Sequence, residues 1–346
     1  MILGQQVWPG DINNNGIVNN IDVLYWAVAK DATGDGRVSP TSDWVGQDLP
    51  ATLWDQSFPN GLNYAFADCD GDGDVDDDDK TIIEDNFGRM HGTLVPDEYA
   101  TGDAASDPIL ALSNPNSVVP SGSTLEAGLS LGTATDSISN FYGIAFTVNY
   151  DPDVVKNQGN AFQLDILEDT WMNGMGDDKV IKFIKNDRDA GVAEIAIVRK
   201  NQQMVSGFGD IGTFSIVMED IVVGLTNINT TDIKMIDLAV TDTPIAASDI
   251  EFSIDSTTAT IRPIARSGIK LYPNPVLGSE VSLELEDEAE GIRQLHLFDV
   301  NGRLLSKWKF NERLSKQNID LEGLPKGIYN FKIITDKRVY IRSFFK

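Results

Sequence analysis

Hydrophobic positions along this chain change their rhythm twice. In the first hundred residues, helical spacing is confined to two short stretches. Ile21, Leu24, Tyr25 and Val28 predict a helix over Ile21–Lys30, and Lys80–Phe87 reads as a second one, stopped by Gly88. From Asp107 to Pro263 the period drops to two. Leu125, Ala127, Leu129 and Leu131 face one way, Ile144, Phe146, Val148 and Tyr150 repeat the pattern, and Gly, Asn and Asp break the chain between short runs. Further strands are expected at Phe162–Ile166, Lys179–Lys185, Ala193–Arg199, Thr213–Met218, Asp232–Val240 and Thr258–Arg262, which suits a two-sheet jelly roll. The last eighty residues alternate again, with Val281, Leu283 and Leu285 set against Ser282, Glu284 and Glu286. There Asn301-Gly302 joins two runs as a tight hairpin would.

Polar positions carry the chemistry of the N-terminal part. Two twelve-residue stretches, Asp11–Asp22 and Asp68–Asp79, place oxygen-bearing side chains at the spacing that a hard cation with six to eight oxygen ligands requires. In the first, Asp11, Asn13 and Asn15 stand at positions 1, 3 and 5. Gly16 turns the chain, Ile17 offers its carbonyl, and Asn19 and Asp22 close positions 9 and 12. The second repeats this with Asp68, Asp70, Asp72, Gly73, Asp74 through its carbonyl, Asp76 and Asp79. Val18 and Val75 should turn inward while the ligands face the ion. Like charges packed this closely repel at roughly 1 kcal/mol per neighbouring pair even in water, so the second loop should need its cation to hold shape. Two Ca2+ ions are expected, the tighter one in the second loop.

A twelve-residue loop closed by Asp, followed by one helix with none before it, and occurring twice, resembles the dockerin module of cellulosome-type assemblies. The stretch 31–67 between the repeats is longer than that family's spacing. Within it Asp31, Thr33, Asp35, Gly36 and Ser39 fall almost as a third loop, but Ser42 occupies the closing position. FYGIAFTVNYDPDVV (Phe141–Val155) and EIAIVRKNQQMVSGFGDIGTFSIVM (Glu194–Met218) resemble the cohesin module and its carbohydrate-binding relatives. LYPNPV (Leu271–Val276), LHLFDVNGRLL (Leu295–Leu305) and LEGLPKGIYNFKI (Leu321–Ile333), in that order, resemble the C-terminal sorting domain of type IX secretion substrates in the Bacteroidetes. That resemblance implies export to the outer cell surface or the medium.

The expected fold is therefore multidomain and mainly β: a small α calcium-loop (dockerin/EF-hand-like) domain, a jelly-roll β-sandwich and an immunoglobulin-like C-terminal β-sandwich. Its expected parts are a tail over 1–10, the calcium domain over 11–95 with insertion 31–67, and a linker over 96–106. The cohesin-like sandwich over 107–263, a linker over 264–268 and the sorting domain over 269–346 complete it.

Charge narrows the partners. With 53 acidic and 27 basic residues the chain carries −26, which argues against nucleic acid and anionic membrane. No apolar run approaches a membrane span, and Met1–Gly4 lacks the charged start of a secretion signal. Cys69 is the only cysteine, so no internal disulfide forms, and a buried inert thiol is expected. His91 and His296 are the only histidines, and neither belongs to a nucleophile–base arrangement. A surface position is expected for His91. The chain reads as non-catalytic. One functional reading is protein–protein assembly or self-association through the dockerin-like and cohesin-like modules. The other is a carbohydrate-binding surface protein, with Phe141, Tyr142, Trp171 and Phe208 as candidate sugar platforms. Trp8, Trp26, Trp44 and Trp54 crowd the first sixty residues, either packing the insertion onto the helices or forming a binding surface.

Overall fold

The structure is a computed structural model that describes residues 6–114, 116–156, 160–174, 179–220, 224–255, 268–276, 278–286, 291–299, 304–335 and 339–346. The chain divides into two units, Met1–Asp255 and Ser256–Lys346. The two acidic loops and the β-sandwich thus share one unit.

In the first unit, β1 (Gln6–Val7) pairs with β2 (Gln47–Asp48), so the expected tail is a strand with Val7 wholly buried. Helix α1 (Asn20–Ala29) follows the first loop and α2 (Asp77–Asn86) the second. Both are capped alike. Asn19 and Asp76 accept from the helix backbone, while Asp22 and Asp79, three residues on, reach back to the cap N–H. Loop position 12 therefore doubles as the capping-box acid, which starts α2 three residues earlier than its apolar spacing suggests.

The sandwich strands are β3 (Ile109–Ser113), β4 (Val118–Pro120), β5 (Thr124–Leu131), β6 (Ile138–Phe141), β7 (Gly143–Tyr150), β8 (Phe162–Ile166) and β9 (Ile181–Asp187). They continue with β10 (Val192–Val198), β11 (Val205–Gly207), β12 (Gly209–Val217), β13 (Gly224–Ile236), β14 (Asp242–Thr243), β15 (Ala246–Ala247) and β16 (Asp249–Asp255). One sheet runs β15-β3-β5-β12-β8 and the other β4-β16-β13-β7-β10-β9. Alternate residues such as Leu129, Phe146, Ile195 and Phe214 fill the space between them. The strand expected at Asp232–Val240 is the second half of β13 and stops at Ile236, while the first half, Gly224–Thr231, is hidden by its Asn and Thr content. The expected strand at Thr258–Arg262 lies outside the described residues, whereas β16 alternates just before it.

Among the described residues of the second unit, a three-stranded sheet combines β17 (Ile269–Tyr272), β18 (Glu280–Leu285) and β21 (Lys316–Asp320). A four-stranded one combines β19 (Ile292–Asp299), β20 (Leu304–Leu314), β22 (Ile328–Thr335) and β23 (Val339–Phe345). Leu283, Leu295, Phe331, Ile333 and Tyr340 form its core. The hairpin residues Asn301 and Gly302 lie outside the described residues, and the strands flanking them pair antiparallel.

Candidate metal centre

The two loops are halves of one pseudo-twofold device. Ile17 bridges Met90, and its counterpart 57 residues on, Asp74, bridges Thr33, which itself lies 57 before Met90. Each loop is strapped by the segment that leaves the other loop's helix. Val18 N–H donates to Arg89 O and Gly88 N–H to Val18 O, just as Val75 N–H donates to Ala32 O and Asp31 N–H to Val75 O. The stretch 31–37 is thus the strap of the second loop rather than a third loop. There Arg37, buried, donates to the carbonyls of Asp68 and Cys69.

Within each loop the position-1 and position-12 carboxylates sit at the bottom. Asp11 accepts from Asn15 N–H (3.0 Å) and Gly16 N–H (2.9 Å), and Asp22 from Ile12 N–H (2.8 Å) and Asn19 N–H (2.8 Å). Asp68 accepts from Gly71 N–H (2.7 Å), and Asp79 from Cys69 and Asp76 N–H. Ligand atoms of Asp68, Asp70 and Asp79 all lie within 4.8 Å of one another. Gly16 (φ +96°) and Gly73 (φ +104°) hold the left-handed turn at position 6. A Cβ on either would lie 2.9 Å from His91 O or 2.8 Å from Gly34 O, inside the strap.

These residues fit a hard cation. Asp11, Asp22, Asp68 and Asp79 are buried, and a buried carboxylate needs a compensating charge. Burial raises the carboxyls of Asp11 and Asp22, pushes Asp68 up to about 7 and pushes Asp79 up to about 8. All the side-chain donors expected at the two loops are oxygens, the set that calcium takes. Val18 and Val75 point inward, 0% and 1% exposed.

Two residues that spacing could not reveal also touch the first loop. His91 is no surface residue: Nε2 stands 2.6 Å from Asp11 Oδ2, and the ring stacks on Trp8 at 4.4 Å and meets Trp44 edge-on. Asp97 accepts from Asn13 Nδ2 (3.1 Å) and Asn19 Nδ2 (2.7 Å). Cys69 is wholly buried and its thiol is pushed well up by burial, as expected of an inert cysteine. The tryptophans pack the module. Trp26 donates to Asp76 O (2.6 Å), and Trp54 to Asp35 O (3.0 Å) across the insertion.

The module is seated on its own sandwich. Strand β7 is buried on both faces, because Ala145 and neighbouring Tyr142, with Ala196 and Val198 of β10 and Phe183 of β9, join a core with Leu24, Ala27 and Val28 of α1. Asn20, at loop position 10, donates through Nδ2 to Phe146 O (3.2 Å) and Ile195 O (3.0 Å). Tyr142 Oη donates to Ala27 O (2.9 Å) and Gln202 Nε2 to Val28 O (3.0 Å). Phe141 and Tyr142 are therefore interior, not sugar platforms. Of the four candidates Phe208 is exposed, and Trp171 is half-buried against Phe141.

Residues 270–346 match the family described as the secretion system C-terminal sorting domain. The chain ends in a type IX sorting domain. That tail marks the protein for export to the cell surface or beyond, and among the described residues no helix is long and apolar enough to cross a membrane. No curated protein matches the chain. Among solved structures it is similar to the sixth cohesin of Acetivibrio cellulolyticus scaffoldin B, crystallised in complex with a Cel5 dockerin mutant (12% identity, 43% of this chain, 100% of that one, TM-score 0.34). It is similar also to the cohesin module of a Clostridium perfringens family 33 glycoside hydrolase (17%, 43%, 98%, 0.32). A further likeness is to a non-cellulosomal cohesin of Archaeoglobus fulgidus (12%, 44%, 93%, 0.31).

Proposed function

We propose that this is a non-catalytic, secreted calcium-binding protein that mediates protein–protein assembly through a dockerin-like and a cohesin-like module. The observation that carries this reading is the seat of α1 on the β7–β10 face, where an apolar patch is completed by Asn20 reaching two strand carbonyls. A sheet face with that much buried apolar surface is built to hold a helix. The sequence resemblances supply the module types, and the sorting domain supplies the compartment.

Asp11, Asn13, Asn15, Ile17, Asn19 and Asp22 would hold one Ca2+, and Asp68, Asp70, Asp72, Asp74, Asp76 and Asp79 the other. A bound ion would offset the buried carboxylates at the start of each helix, and the loop residues Asn19 and Asp22 cap α1 and so fix where it begins. Within one chain the pair is satisfied internally. Opening the seam and closing it on a neighbour exchanges identical contacts, a low-cost route to a dimer or a chain of copies.

Two differently dye-labelled populations of the full chain, one marked on the module and the other on the sandwich, would be mixed at high concentration. They would then be taken through chelation and back into calcium. Energy transfer between chains, with a doubled mass by light scattering, is the expected result. A one-chain mass and no transfer after the cycle would retire assembly by exchange and leave a calcium-stapled single chain.

A further inference from the structure

Every asparagine at a ligand position of the first loop is an aspartate in the second. Asn13 corresponds to Asp70, Asn15 to Asp72 and Asn19 to Asp76. The first loop thus lacks three negative charges, and it gains an ambiguity. An amide can turn either its oxygen or its NH2 toward a cation, whereas a carboxylate has no wrong face.

The structure answers both deficits with one residue from outside the loop. Asp97 is half-buried beyond the strap that leaves α2, and its two oxygens each take one of the NH2 groups of Asn13 and Asn19. An ionised carboxylate only accepts, so this bridge holds both nitrogens outward. Both Oδ1 atoms stay on the loop side. Each accepts one backbone N–H, from Asn15 at 3.1 Å and Ile21 at 2.8 Å, and keeps a lone pair for a cation. The residue 57 before Asp97 is Pro40, so the second loop has no counterpart to this bridge. Asn15 differs from Asn13 and Asn19: it is 8% exposed, its Oδ1 accepts from Ile17 N–H, and its Nδ2, a donor that would need an acceptor and not a cation, is not taken by Asp97.

We propose that Asp97 is the positioning residue of the first calcium site, locking Asn13 and Asn19 with their oxygens toward the ion and restoring charge that the asparagines lack. The proposal rests on the calcium reading above. It also joins the ion to the sandwich. Lys234 Nζ donates to Glu98 O at 2.7 Å, and Ala100 N–H donates to Asp242 at 3.1 Å, so the linker that presents Asp97 is pinned to the sandwich. Partners of metal ligands are commonly worth 10–100-fold in affinity.

The test is a calcium titration of the full chain followed by amide NMR, with Gly16 and Gly73 as separate reporters because each N–H donates to its loop's position-1 carboxylate. Asp97→Asn should weaken the Gly16 event about 10–100-fold and leave the Gly73 event within about twofold. Adding Asn13→Asp and Asn19→Asp to that variant should restore the Gly16 event, because carboxylates need no orienting. An unchanged Gly16 titration in Asp97→Asn, or a loss that the two carboxylates do not rescue, overturns the proposal while leaving calcium binding intact. If Gly16 ignores calcium in the unaltered chain, the calcium reading of that loop fails first. A calcium-loaded crystal structure of the unaltered chain needs no variant. Asp97 on both amide nitrogens supports the role, and Asp97 on the ion or off the loop refutes it.

Discussion

Replacing Asn20 by Ala should cost far more than replacing its pseudo-twofold counterpart Asp77. Asn20 is 3% exposed and spends both amide hydrogens on carbonyls of paired strand residues, Phe146 and Ile195. Its backbone N–H also holds the carboxylate of Glu194, which burial pushes upward. Two neutral hydrogen bonds are worth about 1 kcal/mol each, and truncating a buried side chain adds a packing loss, so about 2–4 kcal/mol is expected. Asp77 sits at the same helix position and is exposed, and its loss should stay within about 0.5 kcal/mol. The assay is urea unfolding of the full chain in saturating calcium, with hydrogen exchange to locate the effect in α1, β7 and β10. Equal costs for the two variants, or an Asn20→Ala cost below about 0.5 kcal/mol, would refute the claim that α1 is the docking helix.

Cys69, the lone thiol, reports on the second loop. Calcium at 100 times its dissociation constant should slow labelling by a thiol reagent about 100-fold, and a calcium-independent rate would place the ion elsewhere. With five side-chain carboxylates, the second loop should bind calcium more tightly than the first. Asp79→Asn should therefore abolish the tighter event in calorimetry and Asp22→Asn the weaker, and the reverse assignment would defeat the charge argument. Asp68 and Asp79 titrate at about 7 and about 8 when metal-free, against 3.8 when unfolded. The folded state then holds more protons, so in chelator stability is greatest below pH 4 and falls as pH rises through about 8. Excess calcium keeps these groups ionised and should reverse the trend. Thermal melts from pH 4 to 8 with and without calcium check this, and parallel curves would contradict it.

The two acidic loops were legible because their side-chain oxygens recur at fixed spacing over twelve residues. His91 and Asp97 were not, because they approach the first loop from about 80 residues away through a backbone pairing that no local pattern encodes. Once the 57-residue repeat is recognised, Asp97 can be sought as the missing charge. The seat of α1 had a visible signature. NIDVLYWAVA is apolar nearly all round, and FYGIAFTVNY is a continuous run rather than an alternation, so both elements had to be covered on two sides. Reading only alternate positions of that run made Phe141 and Tyr142 look available. The polar start of β13, GLTNINTT, resists any propensity argument, because pairing to β16 and β7 on either side holds it in the sheet.

A backbone repeat that is kept and a surface that is not together explain why the module has one docking face. The positions facing the shared interior correspond closely: Asp22 and Asp79, Tyr25 and Ile82, Trp26 and Ile83. The positions turned away from it diverge. Leu24, Ala27 and Val28 of α1 are buried against the sandwich, while Thr81 and Asp85 of α2 are exposed and Glu84 is half-buried. Rotating the module by its own twofold would carry Asp77, Thr81, Glu84 and Asp85 onto Tyr142, Ala145 and Ala196, burying carboxylates with no cation to meet them. Polar residues on α2 outside the ligand positions thus forbid that helix the seat, while the first loop, poorer in charge at its ligand positions, borrows Asp97 from the linker beside the helix it positions.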